Sequence, residues 1–209
     1  MTTTCPRQNR VQPTGDILRH PTRGSLMGNR GILHDTSAHS HGALTHRRWQ
    51  HKAWVCCVLS FKGRRRTLMA ANRYTELFFH DEAVALAAGH RPCAECRRAD
   101  HKAYLAAAGH TGSAPAFDKH LHAARAIPRK FEQNRAQMDA QNLPDATFVL
   151  LFDQPALLIG DMALPFTPEG YAAPIKRPQG RVTVLTPAPS ITALLGGFRP
   201  SLRLPANLR

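Results

Sequence analysis

Two cysteines three positions apart, in Arg91-Pro92-Cys93-Ala94-Glu95-Cys96, constrain this chain more than any other feature. A C-x-x-C turn sets two sulfurs on one side of a tight loop, each able to reach a shared ion at about 2.3 Å. Zinc suits such thiolates because its filled d shell leaves it without redox chemistry. Pro92 stiffens the way into the turn. A helix is predicted from Arg97, and amides at a helix start lower thiolate pKa values. A redox dithiol, the competing use of the motif, expects a parallel βαβ setting. The segments before Cys93 read instead as antiparallel strands, so Zn2+ at a structural site is the predicted cofactor.

Those segments follow from residue type. Gly31–His34 reads as a short strand and Ala53–Phe61 (AWVCCVLSF) as a second, aromatic and β-branched. Lys62-Gly63-Arg64 turns the chain, and Arg65–Met69 is predicted to return as a hairpin partner. Tyr74–Phe79 is a further strand. Asp81 then caps a helix over 82–88, which Gly89 ends, and a second helix over 97–108 is closed by Gly109. Residues 111–142 read as a polar connector with a broken helix near 118–126. Beyond it, 147–152, 156–159 and 181–185 read as strands, and 190–195 as a short helix. Sixteen prolines and fourteen glycines argue against a helical bundle. The expected fold is α+β: short antiparallel strands and two short helices around a zinc site, then a small β-rich C-terminal unit.

Charge adds a partner. Lysine and arginine number 28 against 14 acids, a formal net of +14. Residues 1–135 hold 22 bases and 9 acids (+13), whereas 136–209 hold 6 and 5 (+1); all twelve histidines and five cysteines also precede residue 136. A basic face of this size attracts polyphosphates by steering and counterion release. Nucleic acid is thus the expected partner, with Arg64, Arg65, Arg66, Arg91, Arg97 and Arg98 as phosphate contacts. There is no dinucleotide-binding glycine fingerprint and no P-loop. No run of about 18 apolar residues spans a bilayer, and Met1–Arg10 shows no apolar secretion signal. A cytoplasmic location follows as an expectation, with cysteines kept as thiols or metal ligands.

The stretch Phe79–Cys96 (FHDEAVALAAGHRPCAEC) resembles the metal-binding domain of the Ada methylation-response protein and its relatives. Glu82-Ala83, Ala88-Gly89, His90 and Arg91-Pro92-Cys93-x-x-Cys96 match that family's helix, glycine and R-P-C-x-x-C in order, over roughly 20 of 209 residues. The resemblance implies that Cys93 and Cys96 hold zinc in a DNA-facing module, with DNA favoured over RNA. The whole chain also looks like a group of uncharacterised bacterial proteins marked by RYTELFF…DEA…AAGHRPCAECRR and a later TPEGY. On this reading 1–24 is a basic flexible arm, 25–110 the Ada-like zinc-binding module, 111–142 a basic connector and 143–209 the β-rich unit. The chain departs from Ada in lacking an upstream C-x-x-x-C pair, the source of that family's methyl-accepting cysteine.

The third and fourth ligands must come from elsewhere. Neighbours on an extended strand point to opposite faces, so one of Cys56 and Cys57 meets the site and the other packs in the core. Cys57 is preferred, with His34 as fourth ligand and His80 as its rival. His39, His41, His46 and His51 form a histidine-rich tract able to hold metal loosely. An enzyme reading also exists. His80-Asp81-Glu82 with Pro92-Cys93-x-x-Cys96 spells the H-x-E…P-C-x-x-C of zinc nucleobase deaminases, in which Glu82 would shuttle protons. Only nine residues separate Glu82 from Pro92, too few for the intervening strand that chemistry needs. A zinc-dependent hydrolase acting on nucleic acid or nucleobases remains the alternative to a binding protein.

Overall fold

The computed structural model describes residues 5–37, 42–65 and 67–208. Among these residues, two large antiparallel-rich sheets, a two-stranded hairpin and four α-helices make a mixed fold consistent with α+β. The first sheet comprises β1 (Gln8–Val11), β2 (Ile17–Arg19), β3 (Leu26–Asn29), β4 (Val55–Val58), β5 (Leu77–Phe79) and β6 (Arg91–Pro92), in the order β2-β1-β5-β3-β4-β6. Helix α1 (Glu82–Ala87) separates β5 from β6, and α2 (Arg98–Ala107) and α3 (Ala114–Arg125) follow. A small hairpin, β7 (Ala126–Ile127) with β8 (Glu132–Gln133), leads to the second sheet. That sheet is formed by β9 (Ala136–Asp139), β10 (Phe148–Leu151), β11 (Gln154–Ile159), β12 (Met162–Thr167), β13 (Gly170–Tyr171), β14 (Ile175–Lys176) and β15 (Arg181–Val184). Its order is β13-β12-β11-β10-β15-β9, with β14 beside β12, and α4 (Ala188–Leu195) closes the fold.

Several expectations shift here for identifiable reasons. The arm expected over 1–24 contributes two strands, because Val11 and Ile17 are buried and Arg10 lies over the Phe78 ring at 5.1 Å. The strand expected at 31–34 falls earlier, at β3; His34 keeps only an isolated bridge to Leu44. The hairpin return expected over 65–69 does not form among its described residues. β4 is already paired on one side with β3, antiparallel, and on the other with β6, parallel, so neither edge is left for it.

The helices follow their caps. Asp81 Oδ1 accepts from the Val84 amide at 3.0 Å, and Gly89 takes the left-handed φ of +81° that ends the α1 turn. The longer α3, read only as a broken helix, starts at Ser113, whose hydroxyl accepts from the Ala116 amide, with Pro115 in the first turn. That Ser-Ala-Pro start was a readable signal.

One continuous cluster of buried side chains takes Phe79, Val84 and Leu86 from the first sheet region and Phe148, Leu164 and Phe166 from the second. Burying a side chain of this size stabilises by about 1.5–3 kcal/mol. Polar ties cross the same junction. The Tyr104 hydroxyl meets Ser190 Oγ at 2.8 Å, and the Tyr171 hydroxyl donates to Asp81 Oδ2 at 2.7 Å. Burial raises the Tyr104 phenol to about 12; burial, then the charge of Asp81, raises Tyr171 well above its usual value. Both folded values exceed the unfolded one of about 10. Their contribution is therefore complete below pH 10 and is lost as pH rises beyond it. Stability measured by urea unfolding is expected to decline above about pH 10, less steeply in Tyr171→Phe.

Candidate metal centre

Strand alternation on β4 divides the adjacent cysteines. Cys56 is fully buried in the core, whereas Cys57 is half-buried on the other face. The parallel pairing of β6 with β4 then delivers the C-x-x-C turn to Cys57. Arg91 N–H donates to the Trp54 carbonyl at 3.1 Å and Cys93 N–H to that of Cys56 at 2.9 Å. Pro92 falls between these two donors, where its missing N–H costs nothing on an edge strand. Arg97 N–H donates back to the Cys93 carbonyl at 3.1 Å and closes the turn.

The sulfurs of Cys57, Cys93 and Cys96 consequently lie within 4.8 Å of one another. Sulfurs bonded tetrahedrally to one zinc stand about 3.8 Å apart, so a small inward rotation suffices. The three thiols act on one another through hydrogen bonds and charge. The hydrogen bond from Cys57, with support from the Cys96 and Glu95 amides, holds the Cys93 thiol down at about 5 against the opposing effect of burial. The same hydrogen bond, then burial and the neighbouring sulfurs, pushes Cys57 up; burial, followed by the charge of Cys93, raises Cys96. A divalent cation in place of the thiol protons would offset two of the three thiolate charges and leave the cluster with a net charge of −1. Cys56 belongs to the core, its thiol raised by burial and then by Glu82.

A pocket of about 220 Å³ opens on these sulfurs, with Met27, Phe61, Tyr74, Arg64 and Glu95 among its walls. Met27 is the cross-strand partner of Cys57. Its place beside the site is set by strand register, whereas Phe61 and Tyr74 reach the pocket from segments outside the strands; none of the three carried a signal in residue spacing. Arg64 Nη2 donates to Glu95 Oε1 at 2.6 Å across the mouth, with both side chains about half exposed.

The remaining candidates fall elsewhere. His34 does not join the three cysteines; it is buried, with Nδ1 at 2.8 Å from Thr75 Oγ1. His80 sits at the junction of the two sheets, its Nε2 3.2 Å from the Arg203 carbonyl, against the rings of Phe166 and Tyr171. Glu82 is buried on the Cys56 side: Arg97 Nη2 lies 2.8 Å from its Oε1, and its Oε2 accepts from the Ser201 amide. The sheet thus stands between Glu82 and the sulfurs, so the deaminase arrangement does not assemble.

Two arginines are withdrawn from the predicted phosphate contacts. Arg91 makes a bidentate pair with Asp118, both bonds 2.7 Å, with side chains only 5% and 6% exposed. Arg97 is spent on Glu82 and Asp100 and reaches the Cys56 sulfur at 3.7 Å. Arg64, Arg65 and Arg98 are exposed, while Arg66 and the histidines at 39 and 41 lie outside the described residues. Asp118 and Arg125 of α3 are both buried. No helix among the described residues is long and apolar enough to cross a membrane.

No protein-family model matches the chain, and neither a curated protein nor a solved structure shows significant similarity to it. The class of the site is accordingly defined by its own geometry, as a three-cysteine cluster able to hold a metal ion beside an open pocket.

Proposed function

We propose that this chain is a zinc-binding protein that contacts nucleic acid, DNA before RNA, through a basic face beside the metal. The approach of Cys57, Cys93 and Cys96 carries the metal half of the reading. Three soft donors at this spacing suit zinc, and five free cysteines suit a reducing compartment such as the cytoplasm. The net charge of +14 and the exposed Arg64, Arg65 and Arg98 around the C-x-x-C turn support the nucleic-acid half. The likeness of 79–96 to Ada supports both, without extending to methyl transfer.

A specific observation favours a second reading. A zinc ion held by these three cysteines beside the adjoining pocket would keep a fourth position for water, the pattern of hydrolytic sites. A hydrolase built here would use Glu95, which lines that pocket, and not Glu82.

Elemental analysis tests the metal. About one zinc per chain is expected from the tetrahedral three-thiolate donor set, lost in Cys93→Ser and retained in His34→Ala. Metal-free protein after expression in zinc-supplemented medium would refute the assignment. Binding of labelled DNA is expected to weaken steeply with salt, and Arg65→Ala and Arg98→Ala each to reduce the logarithmic slope by about 1. A flat salt response would remove the nucleic-acid half. Catalysis would appear as hydrolysis abolished by Glu95→Gln in protein that still holds its zinc.

A further inference from the structure

Away from the cysteine cluster, the fold buries two guanidiniums with no carboxylate in direct contact among the described residues. Arg30 and Arg125 are 1% and 0% exposed and sandwich the indole of Trp54, with guanidinium carbons 4.3 and 3.9 Å from the ring centroid. Arg30 donates to the carbonyls of Gly15 at 3.2 Å and Ala88 at 3.3 Å, and Nε lies 3.4 Å from His90 Nε2. Arg125 donates to the carbonyls of Gly89 and Lys52 and approaches His122 Nδ1. Neither forms an ion pair among the described residues, and Asp118, the carboxylate whose charge reaches Arg125, is engaged by Arg91. Burial, with the charge of Arg48 adding to it and that of Asp16 opposing it, lowers the Arg30 guanidinium to about 9, and burial next to both arginines pushes the His90 imidazole well below its usual value. Charged groups are costly to bury unless paired.

Arg30 also lines a cavity of about 300 Å³, at the lower end for a small-ligand site. Arg48 and Arg135 line it too, so three guanidiniums face two carboxylates, Asp16 and Glu132. Its aromatic wall is Trp49 and Phe131, with ring centroids 4.9 Å apart, and Trp49 leans on Trp54 at 5.4 Å. Phosphate alone would use the arginines and leave that wall idle. A phosphate joined to a flat aromatic base uses both.

We propose that this cavity is a nucleotide-binding site, in which Arg48 and Arg135 receive the phosphate in front of the buried charge of Arg30, and Trp49 stacks on the base. The nucleotide is either free or one unit of a single strand; the chemistry recognised is the same. The site deepens the nucleic-acid half of the function proposed above and requires neither the metal nor Arg65 and Arg98.

The test uses the full chain with its metal. Both tryptophans of the sequence belong to this cluster, so intrinsic fluorescence reports on it directly. Adenosine monophosphate and a short single-stranded oligodeoxyadenylate are titrated separately. Saturable quenching is expected from one or both. Quenching by the mononucleotide identifies a free-nucleotide pocket; quenching by the oligonucleotide alone identifies a strand-binding one. Arg48 is half-buried and Arg135 exposed, so Arg48→Ala and Arg135→Ala test the site even if Arg30→Met fails to fold. Each is expected to weaken binding about tenfold, as is Trp49→Ala followed by calorimetry. Absence of saturable quenching by either probe overturns the proposal, as does equal binding of an oligoglutamate peptide. Oligonucleotide affinity that falls in Arg65→Ala and Arg98→Ala but not in Arg48→Ala also overturns it while sparing the basic face; the converse result spares this pocket alone.

Discussion

Asp118→Ala is expected to destabilise the protein by about 3–5 kcal/mol, the cost of leaving a buried partner charge uncompensated. Arg91 and Asp118 share two bonds of 2.7 Å in a site closed to solvent, and the ion pairs of Arg97 are committed elsewhere. For a chain of this length the loss corresponds to a melting temperature lower by about 6–20 °C. Urea unfolding checks it: the midpoint should fall with the slope unchanged. Arg91→Met combined with Asp118→Leu should recover most of the loss, because an apolar pair of similar volume avoids both desolvation and an orphaned charge. The effect also reaches the cysteines. Arg91 lies on β6 two residues before Cys93, and its Nη1 donates to the Pro92 carbonyl at 3.0 Å. Zinc affinity in Asp118→Ala is thus expected to drop about 10–100-fold, as for other outer-shell supports. A loss below about 1 kcal/mol would mean that Arg91 reaches water or exchanges to His101, whose Nδ1 lies 3.5 Å from Nη1.

Cys57→Ser is expected to abolish the coupling between zinc and stability. A ligand that binds only the folded chain stabilises it by about 4 kcal/mol when present at a thousand times its dissociation constant. That is about 8–16 °C in melting temperature for a protein of this size. Wild type should show this shift between zinc and chelator, and Cys57→Ser should not, since a neutral hydroxyl replaces one of only three clustered sulfurs. Cys56→Ser is the internal control. It places a hydroxyl in the core and lowers stability by about 1–3 kcal/mol, yet its zinc-dependent shift should persist because Cys56 faces away from the cluster. Equal melting of wild type with zinc and with chelator would refute the metal site; loss of the shift in Cys56→Ser but not Cys57→Ser would reverse the strand assignment.

Much of this was open to reading because it depends on neighbours in sequence. The tight C-x-x-C turn, the Asp81 cap, the glycine after α1 and the alternation that sends Cys56 and Cys57 to opposite faces are short-range consequences of backbone geometry. The choice between those two cysteines is different in kind. It depends on which face of β4 meets the turn after β6, and β6 pairs with β4 across more than thirty intervening residues.

What residue type and spacing determined by themselves, then, was a mixed fold of short strands, two thiols poised for a metal and a strongly basic N-terminal two thirds. Tertiary structure alone decided which charges remain available. Arg91 and Arg97 look like Arg65 and Arg98 in sequence, but Asp118 and Glu82 draw the first pair inward through contacts set by helix packing. Arg30, Arg125 and Trp54 are separated by 24 and 71 residues along the chain and meet only because β3, β4 and α3 converge. Charge and aromaticity are properties of single residues, whereas burial and partnership belong to the packed assembly. The three-cysteine cluster was therefore partly legible, and the arginine-lined cavity was not.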